Sequence, residues 1–355
     1  MNVVGIGLGS LGRLELRTLA ALDGVDLIAG ADVSADAREV FAEEHDVPTY
    51  ESYEEMLDVE DADAACIVTP HTLHYEQARA CLDQGVHVHL EKPMVTDLDH
   101  ARDLRRRAGE TDLTLAVGYQ RHVDWRFRKI RRLIDEGAIG DLHMAVCFLE
   151  QVWISFAEER WRGNPALSGG GQLYDSGSHL LDALLWTTQS DPVSVAAAVD
   201  DRGHDVDVNS ALAVTLDRDG DRVSASVGVS GAGRSTPAPG EGLHLWGTEG
   251  RISLADDTLT VESGGEVEAE DAPEPEFEEL TETKLRNFVD VVRGDAELVI
   301  PAADAVRVTA LTEAAYEAAE TGQTVDIDAF GDADGAAVDA AEAAEAAEPS
   351  DATTD

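Results

Sequence analysis

The segment HVHLEKP, residues 87–93, places a charged pair where a short apolar strand is predicted to end. The chain contains only three lysines, and Lys92 is one of them, so its position calls for an explanation. Lys92 could donate hydrogen bonds as a cation in a cleft, with Pro93 fixing the turn through a cis Lys92–Pro93 bond. It could equally be solvated, with Glu91 held in an ion pair by a neighbour. Spacing alone leaves both interpretations open.

A second group that could do chemistry follows three glycines at residues 169–171, where a helix is predicted from about residue 173. Asp175, His179 and Asp182 stand at positions i, i+4 and i+7, so an α-helix would place them on one face. A carboxylate one turn from an imidazole can orient it and support a proton on it, as a general base requires. An ordinary buried polar pair is the alternative.

A glycine-rich turn near the start of the chain predicts a dinucleotide site. Gly7, Gly9 and Gly12 lie between an apolar strand and a helical pattern, where such glycines allow a tight turn and close approach of a pyrophosphate. The next strand ends at Asp32, whose carboxylate can accept hydrogen bonds from a ribose. No arginine adjoins Asp32, which favours NAD, although Arg38 one helical turn further on leaves NADP possible. A glycine turn without a ligand is the alternative.

Strands and helices alternate through the first part of the chain, which predicts a parallel sheet whose ligand-binding loops gather at the carboxyl ends of the strands. Predicted helices span residues 36–44 and 73–84, a helical turn spans 53–57, and strands span 64–69, 86–90 and 113–118. Thr69, Pro70, Glu91 and Lys92 then share one edge. Four histidines, at positions 71, 74, 87 and 89, suggest a metal, but no cysteine or carboxylate set with fixed spacing completes a ligand shell, so structural roles are favoured.

The second part of the chain opens with the basic and aromatic segment YQRHVDWRFRK, in which Tyr119, Arg121 and Trp125 could line a cleft or belong to a solvated helix. From about residue 192, period-two runs predict a large antiparallel sheet. The acidic run at residues 266–282 is predicted to be a solvated loop that enters a helix at 283–292, and a last helix is predicted at 302–319.

Composition limits the possible partners. The chain holds 72 acidic and 26 basic residues, a formal charge of −46, which repels nucleic-acid phosphates and anionic membranes. Such acidity with little lysine is typical of proteins adapted to molar salt. Three cysteines in apolar contexts predict buried thiols, and a start without a leader-like segment predicts a cytoplasmic protein. Residues 331–355 hold eight carboxylates and no basic residue, which favours a disordered tail over a helical partner-binding one.

Five motifs, taken in order, closely resemble those of the Gfo/Idh/MocA oxidoreductases over residues 1–325. They are the glycine turn, Thr69-Pro70 with His74, Glu91-Lys92-Pro93, the GYQR segment and GGG-x-x-x-D-x-x-x-H-x-x-D. The resemblance implies an α/β protein, with a doubly wound Rossmann domain at 1–119 and an α+β domain at 120–330 that carries a large, mostly antiparallel open sheet. It implies oxidation or reduction of a sugar, polyol or inositol-like substrate by NAD or NADP without a metal, and a homodimer or homotetramer formed through that sheet. The implied catalytic residues are Lys92, Asp175 and His179; the cofactor residues are Gly7, Gly9, Leu11, Gly12, Asp32, Thr69, Pro70, His74, Glu91 and Lys92; the substrate residues are Lys92, Tyr119, Arg121, Trp161, Asp175 and His179.

Two other functions share this scaffold. An NAD-dependent lyase or glycosidase that uses transient oxidation would have the same first step. A non-catalytic nucleotide sensor would be expected to lack Lys92, Asp175 or His179, and all three are present.

Overall fold

Six short strands form one parallel sheet in the computed structural model, which describes residues 1–234 and 240–331. Their spatial order is β3-β2-β1-β4-β5-β6. The bounds are Asn2–Ile6 (β1), Asp26–Ala31 (β2), Thr49–Tyr50 (β3), Ala64–Ile67 (β4), His87–Leu90 (β5) and Leu115–Val117 (β6). The chain order reverses between β1 and β4, which is where sheets of this kind bind ligands. The predicted doubly wound sheet is confirmed.

Five helices accompany this sheet: Ser10–Ala20 (α1), Ala35–His45 (α2), Tyr53–Val59 (α3), His74–Asp83 (α4) and Leu98–Gly109 (α5). Ser34 caps α2 by accepting from the N–H of Ala37, and Ser52 caps α3 in the same way, which accounts for where these helices begin. In contrast, α1 begins after Gly9 without a side-chain cap. Its first N–H groups are therefore available to a ligand.

Nine strands form a second sheet in the order β14-β13-β12-β11-β7-β10-β9-β8-β15. Only the β7–β10 pair is parallel among the described strands of this sheet, so the predicted mostly antiparallel sheet is confirmed. The bounds are Leu142–Glu150 (β7), Asp191–Asp200 (β8), Asn209–Arg218 (β9), Asp221–Ser230 (β10), Gly240–Gly247 (β11), Gly250–Ala255 (β12), Thr258–Ser263 (β13), Glu266–Asp271 (β14) and Val325–Asp326 (β15).

The remaining helices connect the two sheets. They are Trp125–Asp135 (α6), Ile154–Ala157 (α7), Pro165–Ser168 (α8), Ser178–Thr188 (α9), Phe277–Val292 (α10) and Ala302–Thr321 (α11). Helices α9 and α11 contact one face of the second sheet. Helix α10 instead returns to the first sheet, where Leu285 and Phe288 join the apolar cluster around Leu16 of α1. None of the helices in these described ranges is both long and apolar enough to cross a membrane.

The central part of the other face of the second sheet, called here the open face, carries mostly small and apolar side chains. On β7 the open face shows Met144 and Phe148, each 40% exposed, while the alternate residues Cys147 and Leu149 are buried. Strand register places two rows of side chains across β8, β9, β10, β7 and β11 on this face, and these ten residues include no carboxylate. One row is Ala198, Ala211, Gly228, Phe148 and Gly242. The other row is Ala196, Ala213, Ser226, Val146 and His244.

The acidic run at residues 266–282 was predicted to be a loop, and that prediction was wrong for residues 266–271 and 277–282. Glu266–Asp271 forms β14, which pairs with β13 at the sheet edge, and α10 begins at Phe277. Every residue of β14 is exposed, because an edge strand needs backbone partners on one side only and can leave its carboxylates in water. The acidic tail predicted at residues 331–355 lies outside the described residues except for Gly331.

Candidate active site

The glycine turn between β1 and α1 leaves room for a pyrophosphate. A Cβ atom at Gly7, where φ is +93°, would lie 2.2 Å from the carbonyl oxygen of Val68, and one at Gly12 would lie 2.0 Å from that of Gly7. A Cβ atom at Gly9 would meet nothing within 4 Å. The turn is therefore tight on its protein side and open above Gly9, at the uncapped start of α1 where Leu11 lies. These residues fit a bound dinucleotide.

Asp32 lies at the end of β2, beside this turn. Its Oδ2 accepts from the Leu8 N–H (2.7 Å) and its Oδ1 from the Ser34 N–H (2.8 Å). An ionised carboxylate has about four acceptor positions, so two remain for ribose hydroxyls. Arg38 donates from Nη1 to the Asp32 carbonyl oxygen (2.6 Å), which brings this cation to the same strand end.

Thr69, Pro70 and His74 lie after β4, on the same edge. The ring of His74 is fully buried, and its nitrogens face the carbonyl oxygens of Pro93 (2.8 Å) and Thr69 (2.9 Å). Burial lowers the pKa of His74, although the two carbonyl oxygens act in the opposite direction. His74 therefore joins the loop after β4 to the loop after β5 from beneath.

Lys92 is not solvated; it belongs to the cleft. Its Nζ donates to both Oδ1 and the backbone oxygen of Asp175, each at 3.0 Å, and the peptide bond to Pro93 is cis, as the sequence suggested. An ammonium group has three N–H donors, so one remains for a substrate. The alternative interpretation of Glu91 also holds, because Glu91 forms an ion pair with Lys284.

Asp175 is the centre of the charged contacts. Besides Lys92, its Oδ2 accepts from Nε1 of Trp153 (2.7 Å) and from Nε of Arg162 (2.9 Å), while Nε2 of His71 lies 4.0 Å from Oδ1. Burial alone would raise the pKa of this carboxyl, but the positive charges of Lys92 and Arg162 outweigh that effect and hold the pKa well below 3.8. Asp175 is therefore ionised at every pH at which the protein would work.

The expected pairing of Asp175 with His179 does not occur. Residues Leu173–Gly177 form a π-helical turn, in which the N–H of Gly177 donates to the carbonyl oxygen of Gln172, five residues earlier (2.8 Å). The wider turn breaks the 3.6-residue register on which the one-face prediction depended. Asp182 is separate as well, since it accepts from Nε2 of the buried His122 at 2.9 Å.

His179 is half-buried, and its Nδ1 has no hydrogen-bond partner among the described residues. The edge of its ring meets the ring of Tyr119 at a centroid distance of 6.1 Å. Burial, followed by the positive charges of Lys92 and Arg121, lowers its pKa well below 6.5. The imidazole is therefore neutral near pH 7 and can accept a proton, without a carboxylate to assist it.

Among the residues expected to contact the substrate, the structure buries Tyr119 and Arg121 and places Trp161 at the site. Tyr119 is fully buried behind His179, and Arg121 is 6% exposed and forms ion pairs with Glu241 and Glu274, so both support the site from within. Trp161 lies at the site, with its ring edge-on to His71 at 4.7 Å. Its contact with a substrate stays a prediction.

A buried charge cluster lies beneath the loop after β5. Nζ of Lys284, from α10, is 2.7 Å from Oε1 of Glu15 and also contacts Glu91. Burial raises the pKa of Glu15 to about 7, whereas the attraction of the two carboxylates raises that of Lys284 despite its burial. Gly118 makes room for this arrangement, because a Cβ atom there would lie 2.3 Å from Oε1 of Glu91.

The same cluster places a cysteine and a carboxylate beside one of the four histidines, a grouping that sequence spacing did not indicate. His89 lies 3.6 Å from Oε2 of Glu15 and 3.8 Å from Sγ of Cys66, a grouping compatible in size with a metal. Its chemistry fits a metal poorly. Burial raises the pKa of the Cys66 thiol far above 9, so no thiolate is offered, and the ammonium of Lys284 already supplies the positive charge.

Sequence reasoning missed His71, Trp153 and Arg162 around Asp175, and Glu15 and Lys284 beneath Glu91. Basic residues are scarce in this chain, and this scarcity could have drawn attention to two of these positions. The segment WRGNP combines an aromatic and a basic residue, and Lys284 is one of three lysines. Their positions were not predictable, because these residues lie on different elements that only the tertiary fold brings together.

Comparison with known proteins identifies the family of both parts of the chain. Residues 1–119 match the family described as "Oxidoreductase family, NAD-binding Rossmann fold", and residues 127–253 match the "GFO/IDH/MocA C-terminal domain". The rhizopine catabolism protein MocA of Rhizobium meliloti is 27% identical over 319 residues, covering 88% of this chain and 93% of that protein. The scyllo-inositol 2-dehydrogenase (NADP(+)) IolW of Bacillus subtilis (strain 168) is 26% identical over 305 residues, covering 79% and 83%. The crystal structure of GenD2 from gentamicin A biosynthesis, in complex with NAD, has the same fold, with a TM-score of 0.79 at 22% identity over 92% of this chain and 96% of that one.

Proposed function

We propose that this chain, which belongs to the Gfo/Idh/MocA family of NAD(P)-dependent oxidoreductases, oxidises a hydroxyl carbon of a sugar, polyol or inositol-like substrate. The observation that carries the proposal is the arrangement of Lys92 and His179. The ammonium of Lys92 is fixed by Asp175 with one N–H left to donate, and it is close enough to His179 to lower the pKa of the imidazole. A donor and a neutral proton acceptor in one cleft suit the oxidation of an alcohol.

In this mechanism His179 accepts the proton of the substrate hydroxyl, and Lys92 donates a hydrogen bond to the oxygen as it becomes a carbonyl oxygen. Bound NAD or NADP supplies the hydride acceptor. Asp175 has a different role from the one expected from the sequence, because it holds the ammonium of Lys92 in place and does not touch the imidazole. The buried ring of Tyr119 limits the orientations of His179.

The cofactor choice, the assembly and the domain boundary belong to the same proposal. Asp32 favours NAD over NADP, since a carboxylate repels a 2′-phosphate. The open face is an apolar surface on a chain of formal charge −46, which supports a homodimer or homotetramer formed through that face. A cytoplasmic location is part of the same proposal. The dinucleotide-binding domain spans residues 1–119 and the second domain spans 120–330, with the cleft between β5 and the segment around Asp175.

The experiment is a turnover screen of sugars, polyols and inositols with both cofactors in molar potassium chloride. On the best substrate, His179→Asn should lose about 100- to 10,000-fold in turnover, the contribution of proton transfer, while cofactor affinity measured by tryptophan fluorescence stays nearly unchanged. Lys92→Met should lower turnover and also shift cofactor binding. The double variant should be barely worse than the worse single variant, because the two residues act as a unit.

His179→Asn with near wild-type turnover would remove this residue from the mechanism. Stoichiometric formation of reduced cofactor separates a dehydrogenase from a lyase that oxidises its substrate only transiently. A screen without any turnover, in a protein that binds NAD, would leave a nucleotide sensor as the function.

A further inference from the structure

We propose that Arg162 recognises a carboxylate on the substrate, so that the substrates of this enzyme are sugar acids such as aldonates or uronates. This inference rests on the proposed function and narrows it. The observation behind it is that Arg162 contacts Asp175 in the active site and keeps most of its hydrogen-bond donors unused by the described residues.

Arg162 is held rigidly by two contacts. Its Nε donates to Oδ2 of Asp175 at 2.9 Å, and its guanidinium carbon lies 4.3 Å from the centroid of the Trp161 ring. The hydrogen bond and the contact with the Trp161 ring restrict the side chain, so less conformational entropy remains to be lost when a ligand binds.

The Arg162 side chain is partly exposed and keeps donors that no described residue uses. Its side chain is 29% exposed, and across residues 1–234 and 240–331 neither Nη atom has a hydrogen-bond partner. A guanidinium has five N–H donors, of which only the one on Nε is used, and the two Nη atoms form the fork that binds a carboxylate through two parallel hydrogen bonds.

The charges of the site also favour an anion. Lys92 and Arg162 share a single carboxylate, Asp175, so among these three groups one positive charge remains uncompensated. The neighbouring imidazoles do not add to the positive charge, because burial lowers the pKa of His71 to about 3 and that of His179 well below 6.5. In a chain of formal charge −46, an uncompensated cation inside the cleft indicates a ligand with one negative charge.

The position of Arg162 relative to Lys92 fits one small molecule. The two cations hold opposite oxygens of Asp175, with Lys92 on Oδ1 and Arg162 on Oδ2. A sugar whose reacting hydroxyl meets Lys92 therefore brings another part of the same molecule to Arg162. A carboxylate matches the single spare charge and the planar fork, whereas a phosphate carries more charge than one arginine can balance.

The test compares substrates that differ only in the acidic group: gluconate with glucitol, galacturonate with galactose, and glucose 6-phosphate with glucose. We expect kcat/KM to be at least tenfold higher for the carboxylates than for their neutral partners. In Arg162→Gln the ratio of acid to neutral kcat/KM should fall at least tenfold, mainly through KM of the acids. Arg162→Lys, which keeps the charge without the fork, should restore part of that ratio.

Arg160→Gln is the matched control, because Arg160 is exposed two residues away and its loss changes the net charge equally. It should leave the ratio unchanged. Equal kcat/KM for acids and neutral sugars, or a ratio that Arg162→Gln does not alter, would overturn the inference while the dehydrogenase function stands. A preference for the sugar phosphate would overturn the carboxylate assignment.

A binding measurement separates failure of the inference from failure of the function. Gluconate and glucitol are titrated into the NAD-bound protein and followed by tryptophan fluorescence. If no substrate is oxidised, tighter binding of gluconate that is lost in Arg162→Gln still supports the carboxylate site, and the absence of that preference overturns it.

Discussion

Lys92 and Asp175, 83 residues apart in the chain, meet through two hydrogen bonds of 3.0 Å that join one ammonium group to both the side chain and the backbone of its partner. The double contact fixes the cation relative to the π-helical turn as well as to the carboxylate. Because Asp175 also accepts from Arg162, this single carboxylate is the shared partner of two cations of the cleft.

Removing that carboxylate should be costly. In Asp175→Asn the two cations lose their shared counter-charge, and we expect the free energy of unfolding to fall by about 3–5 kcal/mol. Urea unfolding measures this loss. Asp103→Asn is the control, since Asp103 pairs with Arg106 and Arg107 at the protein surface and should cost less than about 1 kcal/mol. Equal losses in the two variants would contradict a special role for Asp175.

The stability difference between wild type and Asp175→Asn should depend on pH. A carboxyl whose pKa is lower in the folded than in the unfolded state adds stability above its unfolded pKa of 3.8 and loses it as the pH falls toward the folded pKa. The difference should therefore be constant above about pH 5 and shrink below it. A difference that stays constant from pH 5 down to pH 2 would contradict this assignment.

The pH profile of the reaction should report the lowered pKa of His179. An ordinary histidine loses its basic form below about pH 6.5, but burial and the charges of Lys92 and Arg121 move that loss to a lower pH here. We expect kcat/KM for substrate oxidation to stay level from pH 8 down to pH 6 rather than to fall. An acid limb with a midpoint at 6.5 or higher would show that the base is another group.

Cofactor preference should follow Asp32. The wild-type protein should use NAD more efficiently than NADP, and Asp32→Ala should lower kcat/KM with NAD by about 10- to 100-fold, the range expected for lost hydrogen bonds to a charged group. Arg38→Gln should lower efficiency with NADP more than with NAD, since Arg38 lies beside the same strand end. Equal or better efficiency with NADP in the wild type would refute the assignment of Asp32.

The open face should be an interface between copies of this chain. Phe148→Asp places a charge at the centre of this apolar surface and should dissociate the oligomer, so that sedimentation velocity reports a smaller species. Val59→Asp is the matched control, because Val59 is 66% exposed at the end of α3, which lies beside the first sheet. A wild-type monomer would refute the proposal.

Stability should increase with salt. The carboxylates repel one another, and the screening length falls from about 10 Å at 0.1 M salt to about 3 Å at 1 M. Melting temperatures across a potassium chloride series should therefore rise. Melting that does not depend on salt would argue against adaptation of this chain to high salt.

The sequence predicted the two sheets and the edge of the first sheet that binds ligands, because both depend on local patterns. Alternation of apolar residues predicted the strands of the second sheet, and the spacing of glycines and Asp32 predicted the cofactor turn. These features need only the residues within one element and its neighbours in the chain.

The partners of Asp175 were not predictable in this way. The π-helical turn inserts a residue that no periodicity revealed, and Trp153 and Arg162 approach from irregular segments. The acidic run that became β14 shows the same limit, because its strand depends on an available sheet edge rather than on its own apolar pattern.

The cluster formed by Glu15, Glu91 and Lys284 has a consequence for how this chain can be divided. The sequence has the form of two exchangeable modules, yet the ammonium that forms ion pairs with two buried acidic side chains of the first module arrives on α10, after most of the second sheet. A fragment ending at residue 119 would retain Glu15 and Glu91 without the lysine that pairs with them. The first module therefore looks independent in sequence but depends on Lys284 of the second module for its buried ion pairs. Recombination between relatives can thus exchange the first module only with a second module that carries a lysine at the position of Lys284.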